Sequence, residues 1–236
     1  MKSSDLFVKC LENEEVKYIF GVPGEENEDI MISLINSKIK FIPTRHEQGA
    51  AFMAAIYGRL TGKAGVCLAT LGPGAMNLTT GLADAHLGNM PVVAITGQGG
   101  LHRFHKQNFQ FIDVVNAFKP LTKWNASITT TYIIPEAVRK AFKVAEMERP
   151  GVTHLELPED VAKMEANNAK PLPRLKIRRP SADGKAIDQA IEMIKQAKNP
   201  LILAGNGCVR TRVSKQLSAF VEERGIPIVH TQMGKG

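Results

Sequence analysis

The chain has 236 residues and a mass of 25.8 kDa, and 44% of its residues are hydrophobic and 22% charged. This composition is that of an ordinary globular protein, which excludes a disordered chain, a collagen and a coiled coil. No apolar run approaches ~20 residues, so no membrane-spanning helix is expected. Three scattered cysteines are too few for a disulfide framework or a zinc site, and we predict a cytoplasmic protein. These are Cys10, Cys67 and Cys208.

The net charge of +7 comes from 30 basic and 23 acidic residues. Much of the excess lies in one short stretch without an acid, which also carries three prolines. A nucleic-acid-binding protein usually spreads its basic residues over a folded face, so we predict a solvated linker and no nucleic-acid partner. The basic residues of this stretch are Lys170, Arg174, Lys176, Arg178 and Arg179.

The first ~160 residues alternate between helical and strand patterns. Ser3 or Ser4 is expected to cap a first helix. Further helices are predicted at 30–35, 50–58, from 75 to about 89, and at 135–148. Because most of the strands between them are continuous apolar runs, we predict a doubly wound, mostly parallel α/β sheet with helices on both faces. The predicted strands are 18–20, 41–42, 66–69, 92–95 and 152–157.

The pattern predicts two α/β domains joined by the basic linker. The first domain is placed at 1–162, the linker at 163–182, and an incomplete second domain at 183–236. Strands at 201–204 and 226–230, with a helix before each, begin this second domain. Two strand-helix units are unusually few for a domain, so we expect the chain to be the N-terminal portion of a longer protein.

Known nucleotide motifs are absent from the sequence. Lys63 follows Gly62, but Tyr57 and Ala64 break the Walker pattern on either side. Two glycine-rich turns begin like a dinucleotide fingerprint but lack its third glycine. His102 and His105 have no neighbouring carboxylate or thiol, so no metal site is predicted in this chain.

Glu47 is the most informative acid in the sequence. It follows a predicted strand and begins a helix whose next two turns are almost free of charge. A carboxylate at a helix N-terminus is often a group that only stabilises the helix dipole. Against that interpretation, small apolar neighbours imply close packing and poor solvation, which suit a carboxyl group that takes part in proton transfer.

Several further motifs follow one another in an order that resembles the thiamine diphosphate-dependent enzymes. The first four resemble the pyrimidine-binding domain of that family, the next two its end, and the last a segment of its central domain. Within the family, the residues from Gln107 to Lys123 resemble the acetolactate synthase branch. The motifs are Phe20-Gly21-Val22-Pro23-Gly24, Arg45-His46-Glu47-Gln48-Gly49, Gly72-Pro73-Gly74-Ala75-Met76-Asn77, Pro91-Val92-Val93-Ala94-Ile95-Thr96-Gly97, Arg149-Pro150-Gly151, Leu157-Pro158-Glu159-Asp160 and Thr231-Gln232-Met233-Gly234.

The resemblance implies a role for individual residues. Glu47 matches the glutamate that bonds to the aminopyrimidine ring of the cofactor and promotes loss of the thiazolium proton. Gly24, with Pro23 beside it, matches the loop that approaches the reacting centre. Gln110 matches a substrate-side glutamine, so the implied catalytic set is Glu47, Gln110 and Gly24. The implied cofactor-binding residues also include Thr70, Pro73 and Asn77.

The resemblance also implies partners and further cofactors. Arg149 matches an arginine that contacts FAD in flavin-carrying members, although a solvated cation at a helix end is an equal alternative. The family binds Mg²⁺ in a third domain through a Gly-Asp-Gly motif that this sequence lacks. A homodimer or homotetramer is implied, and some members have a regulatory small subunit.

The implied reaction is carboligation, in which two pyruvates give 2-acetolactate and carbon dioxide. We expect this chain to be inactive alone, because the family site also needs the Mg²⁺-binding domain. One alternative is another thiamine diphosphate-dependent enzyme acting on a different 2-keto acid. The other alternative is a non-catalytic product that only dimerises or binds a partner.

Overall fold

The computed structural model describes residues 1–167, 169–175 and 177–235. Asn168 and Lys176 of the predicted linker, and Gly236 of the predicted second domain, lie outside the described residues. The chain forms two compact units, Met1–Arg178 and Arg179–Gly236. The division falls inside the predicted linker, while the domain limits at 162 and 183 stay a prediction.

The first unit contains a six-stranded sheet in which every neighbouring pair of strands is parallel. The strand order is β2-β1-β3-β4-β6-β5. The central strands are buried along their whole length, as their continuous apolar sequences predict. The predicted parallel α/β fold is therefore confirmed. The strands are β1 Tyr18–Gly21, β2 Lys40–Pro43, β3 Gly65–Ala69, β4 Val92–Gln98, β5 Trp124–Ser127 and β6 Val152–Pro158.

Helices cover both faces of this sheet. The largest apolar cluster joins α1 and α7 to strand side chains such as Val66, Leu68 and Val93. The small buried residues that alternate with these, including Cys67 and Ala94, leave room for the alanine-rich α3 to pack closely on β3. The helices are α1 Ser3–Asn13, α2 Glu28–Leu34, α3 Glu47–Thr61, α4 Gly72–Met76, α5 Thr79–Leu87, α6 Val114–Phe118, α7 Ile134–Glu146 and α8 Glu159–Lys163.

The N-terminal serines do not cap α1, which corrects the sequence prediction. The helix begins at Ser3 with Lys2 in the capping position, and both serines are buried. The Ser3 hydroxyl lies 2.6 Å from that of Thr131, and Ser4 accepts a hydrogen bond from Ser33. Tertiary hydrogen bonds therefore hold the two hydroxyls that a local rule assigned to capping.

Three short elements of the first unit were not predicted, namely β5, α6 and α8. Each has only four or five residues, which is too short for a clear periodic pattern. The single helix predicted from 75 to 89 is in fact two, α4 and α5. The short length of these elements, rather than their composition, therefore limited the predictions.

Part of the predicted linker is held against the first unit. Arg174 Nη1 lies 2.5 Å from Glu15 Oε2, and the guanidinium also approaches Glu14 and Glu146 at 3.8 Å. Asn13 donates a hydrogen bond to the carbonyl oxygen of Leu172. The prediction of a fully solvated linker is wrong at this point, because the basic side chain has acidic partners far away in sequence.

The second unit has two parallel strands and three helices. Its strand pair carries exposed apolar side chains, among them Leu203, Ile228 and Val229. In the described part of the chain, no helix is long and apolar enough to cross a membrane. The elements are α9 Gly184–Gln196, β7 Ile202–Ala204, α10 Asn206–Arg210, α11 Ser214–Arg224 and β8 Ile228–His230.

Candidate functional site

The predicted site residues gather where the strand order reverses. β1 and β3 are neighbours in the sheet, but the chain leaves β1 toward β2 on one side and leaves β3 toward β4 on the other. The segments after the carboxyl ends of such strands diverge and leave a crevice, which is the usual ligand site of this architecture. The Pro23–Gly24 turn, Glu47 and the segment 70–77 follow the ends of β1, β2 and β3. We call this side of the sheet the carboxyl edge, and the opposite side the amino edge.

Glu47 is the first residue of α3 and is 8% exposed. The side-chain amide of Asn77 donates a hydrogen bond of 3.0 Å to Glu47 Oε2. Within the described part of the chain, Glu47 Oε1 makes no hydrogen bond. The carboxyl group is therefore oriented by one partner and keeps its second oxygen available.

The residue that caps the N-terminus of α3 is His46, which precedes Glu47. His46 Nδ1 accepts a hydrogen bond of 3.1 Å from the backbone N–H of Gln48. A side chain before the helix thus satisfies one free N–H of the first turn. Capping of α3 therefore does not explain the orientation of the Glu47 carboxyl group.

Thr70 holds the floor of the crevice beside Gly24. A β-carbon added to Gly24 would lie 2.6 Å from Thr70 Cβ, so a side chain cannot be placed there without displacing the loop. The Thr70 hydroxyl donates a hydrogen bond of 2.7 Å to Glu26, and the Gly24 N–H donates one of 3.0 Å to Asn27. Glu26 and Asn27, which sequence reasoning missed, fix the loop that carries Gly24.

Gln110 reaches the same edge through its backbone. Gly72 has a φ of +48°, and a β-carbon there would lie 1.9 Å from the Gln110 carbonyl oxygen. The side chains of Pro73 and Gln110 are both exposed. The structure therefore places Gln110 directly against the turn that contains Pro73, and brings both close to Asn77.

Arg149 lies away from these residues. It is exposed in the connection between α7 and β6, at the start of a parallel strand. The strand starts form the amino edge, while Glu47 lies at the carboxyl edge. The structure therefore does not bring Arg149 together with the other predicted site residues.

A second group of polar side chains at the carboxyl edge was not predicted. Glu156 of β6 is 2% exposed, and the side-chain amide of Gln98 on β4 donates a hydrogen bond of 3.0 Å to it. Burial raises the pKa of Glu156 to about 7 against the opposing effect of the Ser127 and Gln98 side chains, and the nearby Asp113 carboxylate adds a smaller rise. The sequence signal is an acid inside a predicted strand, which was available but was not used.

The acids, histidines and cysteines of the described residues do not form a cluster of metal ligands. Among residues 1–167, 169–175 and 177–235, no group of three or more His, Cys, Asp or Glu side chains could hold a metal ion. His154 of β6 is fully buried, its Nε2 lies 2.8 Å from the Thr96 hydroxyl, and burial lowers its pKa to about 3. This imidazole is therefore neutral and belongs to the core.

Two family models match the chain. Residues 1–117 match the model described as "Thiamine pyrophosphate enzyme, N-terminal TPP binding domain". Residues 187–236 match "Thiamine pyrophosphate enzyme, central domain". Both models describe the same family, and together they cover more than half of the chain.

Curated relatives match the whole chain or most of it. It is 41% identical over 242 residues to the "Probable acetolactate synthase large subunit" of Methanococcus aeolicus, covering 100% of this chain and 40% of the relative. It is 36% identical over 241 residues to the "Acetolactate synthase, chloroplastic" of Arabidopsis thaliana, covering 100% of this chain and 36% of the relative. The chain is 41% identical over 203 residues to the "Acetolactate synthase, catabolic" of Raoultella terrigena, and the match covers 86% of this chain and 36% of the relative. The chain thus spans about two fifths of the length of the relatives it matches.

Proposed function

Because this chain belongs to the thiamine pyrophosphate enzyme family, we propose that the full-length protein is an acetolactate synthase-type carboligase. In the proposed reaction one pyruvate loses carbon dioxide, and its remaining two-carbon unit is joined to a second pyruvate to give 2-acetolactate. The names of the relatives support this substrate class. The orientation of Glu47, with one oxygen bound to Asn77 and the other available, is the observation that carries the proposal.

The residues of the carboxyl edge fit an aminopyrimidine ring. Glu47 Oε1 can form a hydrogen bond to a ring nitrogen, while Asn77 fixes the direction of the carboxyl group. Gly24 packs so closely against Thr70 that this position has no room for a side chain, so the loop presents only its backbone there. When bound, thiamine diphosphate supplies a carbon nucleophile and accepts the electron pair left by decarboxylation.

The chain's own part in the chemistry is to hold a proton at Glu47 and to position the groups around it. The small apolar residues that follow Glu47 in α3 are buried and keep water from one side of the carboxyl group. A hydrogen bond in such a poorly solvated place is stronger than one in water. Ala50 and Ala51, one turn into α3, are fully buried.

The test is a Glu47→Gln substitution in the full-length protein. We expect hydrogen exchange at the thiazolium carbon of bound cofactor, and carboligase turnover, to slow by about 10²–10⁴-fold, because general acid–base steps contribute that much. The matched control is Glu136→Gln, since Glu136 is also an acid in the first turn of a helix but is exposed. Normal exchange in folded Glu47→Gln protein would remove the assignment.

The remaining cofactor assignments are part of the proposal. We propose that protein residues outside this chain hold the diphosphate and Mg²⁺, as the resemblance implies. Arg149 is proposed to contact FAD in a flavin-binding enzyme, and the visible spectrum of the full-length protein tests this. A colourless, fully active protein that gains nothing from added FAD would contradict the flavin assignment.

Self-association is proposed for the exposed side of α3. Met53, Ile56 and Leu60 repeat at helical spacing and are 45%, 49% and 71% exposed. Such a stripe, on the same helix that begins with Glu47, suits the contact with a second copy in a homodimer or homotetramer. Sedimentation of an Ile56→Asp variant tests this, and an unchanged mass would contradict it. A regulatory small subunit and a cytoplasmic location stay predictions.

A further inference from the structure

A cavity of about 390 Å³ lies between β4, β5 and β6 and the segment that follows β4. We call residues 99–113 the covering segment, because Phe104 and Phe111 of this segment line the cavity and pack edge to face with ring centroids 5.3 Å apart. Glu156 and Ser127 line the cavity from the sheet. The cavity is distinct from the crevice at Glu47 but lies at the same edge of the sheet.

The covering segment is tied to Glu156 through one amide. Gln98 Nε2 donates hydrogen bonds of 3.0 Å both to Glu156 Oε2 and to the carbonyl oxygen of Ile112. Ile112 is two residues from Gln110, whose carbonyl oxygen packs against Gly72. A continuous chain of contacts therefore connects the buried acid to the turn before Pro73.

The surroundings of Glu156 favour its neutral form. Ser127 is the register partner of Glu156 on β5, and the side chains of Ser127 and Gln98 both lower the pKa of Glu156 because they hydrogen-bond its ionised form. Burial raises the pKa by more than these two side chains lower it, so the neutral form is favoured below about pH 7. His154, two residues earlier on the strand, is neutral because burial lowers its pKa to about 3.

The covering segment itself brings the charged groups that face the cavity. Asp113 repels an ionised Glu156, while His105 and Lys106 lie in the outer part of the segment and are exposed. A greater distance between Asp113 and an ionised Glu156 relieves this repulsion. Because Asp113 belongs to the covering segment, that change moves the segment away from the sheet.

We propose that Glu156 is a positioning residue: its protonation state, relayed by Gln98, determines how closely the covering segment packs on the sheet and so where it holds Gln110. The neutral acid keeps the segment packed, and the ionised acid loosens it. The effect on Gln110 rests on the proposed function, in which Gln110 lies on the substrate side. The change in packing does not depend on that function.

Hydrogen exchange of the covering segment in the full-length protein, without substrate, tests the proposal. After correction for the intrinsic pH dependence, protection of residues 104–112 should fall about tenfold from pH 6 to pH 8, since ionisation of a group with a pKa of about 7 is linked to opening over that range. Glu156→Gln should abolish the fall, and the exposed control Glu165→Gln should preserve it. Equal pH dependence in the wild type and Glu156→Gln would overturn the proposal.

An Asp113→Asn variant gives an independent measurement if Glu156→Gln fails to fold. Asp113 caps α6 by accepting a hydrogen bond from the Asn116 N–H, and asparagine can keep that cap. Removing its charge should make the fall in protection smaller, since Glu156 then ionises more easily in the packed state. If the fall in exchange protection between pH 6 and pH 8 is the same in Asp113→Asn as in the wild type, the role of Asp113 is overturned.

Activity provides the second readout and separates the two proposals. In the wild type, KM for pyruvate should rise from pH 6 to pH 8 more than kcat changes, and Glu156→Gln should flatten this rise. A protein without carboligase activity would contradict the proposed function yet leave the exchange experiment readable. A pH-dependent exchange with the same KM profile in both proteins would overturn the link to Gln110.

Discussion

The two edges of the six-stranded sheet both bury carboxylates, but they satisfy them differently. At the amino edge, Arg139 donates hydrogen bonds of 2.7 and 2.6 Å to the two oxygens of Glu14. At the carboxyl edge, Glu47 receives one hydrogen bond, and Glu156 has one oxygen bound by Gln98. The amino edge thus pairs its acids with cations, whereas the carboxyl edge orients its acids with neutral amides.

This difference teaches which buried acids are structural. A buried ion pair with both partners in place has no oxygen left for a ligand, and breaking it leaves an uncompensated charge. Glu47, which the Asn77 amide orients, has a second oxygen that makes no hydrogen bond in the described part of the chain. Charged side chains at the amino edge also bind backbone groups. Glu146 accepts a hydrogen bond from the Ala64 N–H, and Lys123 donates one to the carbonyl oxygen of Met147.

The largest expected effect separates catalysis from stability. Glu47→Gln should slow turnover by about 10²–10⁴-fold while leaving the folded protein intact, because glutamine keeps the size of the side chain. Glu14→Gln should do the reverse, since it leaves Arg139 buried without its charge partner. Steady-state kinetics measure the turnover of both full-length variants, and thermal melting measures their stability. If both variants lose turnover and stability to a similar extent, the distinction between the two edges is wrong.

Removing Arg139 should have the largest effect on stability. We expect Arg139→Ala to destabilise the first unit by about 3–5 kcal/mol, because the buried Glu14 would lose both of its short hydrogen bonds and keep only Arg174, whose Nε lies 3.8 Å away. Native-state hydrogen exchange of amides in α1 and α7 reports the opening free energy. Lys143→Ala on the exposed side of α7 is the control and should change it by less than about 0.5 kcal/mol. A cost below about 1 kcal/mol for Arg139→Ala would show that the pair is not structural.

The raised pKa of Glu156 predicts that the free energy of unfolding decreases as the pH rises. Its pKa in the folded state is raised above the unfolded value of 4.5 to about 7, so stability falls as the pH rises through this range. Relative to Glu156→Gln, the wild type should lose about 3 kcal/mol between pH 4 and pH 8, since each pKa unit corresponds to about 1.4 kcal/mol. Denaturant unfolding of both proteins at the two pH values measures the loss. If the two proteins differ in free energy of unfolding by the same amount at pH 4 and pH 8, the raised pKa is contradicted.

The smallest expected effect concerns the floor of the crevice. Thr70→Val removes the hydroxyl bonded to Glu26 and should cost about 1–2 kcal/mol, while keeping the shape of the side chain. We expect cofactor affinity to fall by about tenfold, since the loop carrying Gly24 loses one attachment. Thr70→Ser retains the hydroxyl and should restore most of the affinity in a titration. Equal affinities in both variants would show that the hydroxyl does not hold the loop.

Much of this molecule was determined by local sequence. Continuous apolar runs predicted the buried parallel strands, because a strand covered on both faces has no polar side. Glycine-rich and polar turns after those strands indicated where a site would form, and Glu47, Gly24 and Asn77 are found there together. The resemblance assigned roles to these residues, which remain proposals for this chain.

Tertiary structure decided how each polar group is used. Ser3 and Ser4 have the sequence of helix caps, yet Thr131 and Ser33 hold their hydroxyls. Arg174 lies in a stretch that looks like a solvated linker, but acids from distant helices surround it. Glu14, Glu47 and Glu156 cannot be distinguished by residue type. Only their partners, brought together from positions 30 to 125 residues apart, distinguish them: Arg139 pairs with Glu14, Asn77 orients Glu47 and Gln98 binds Glu156.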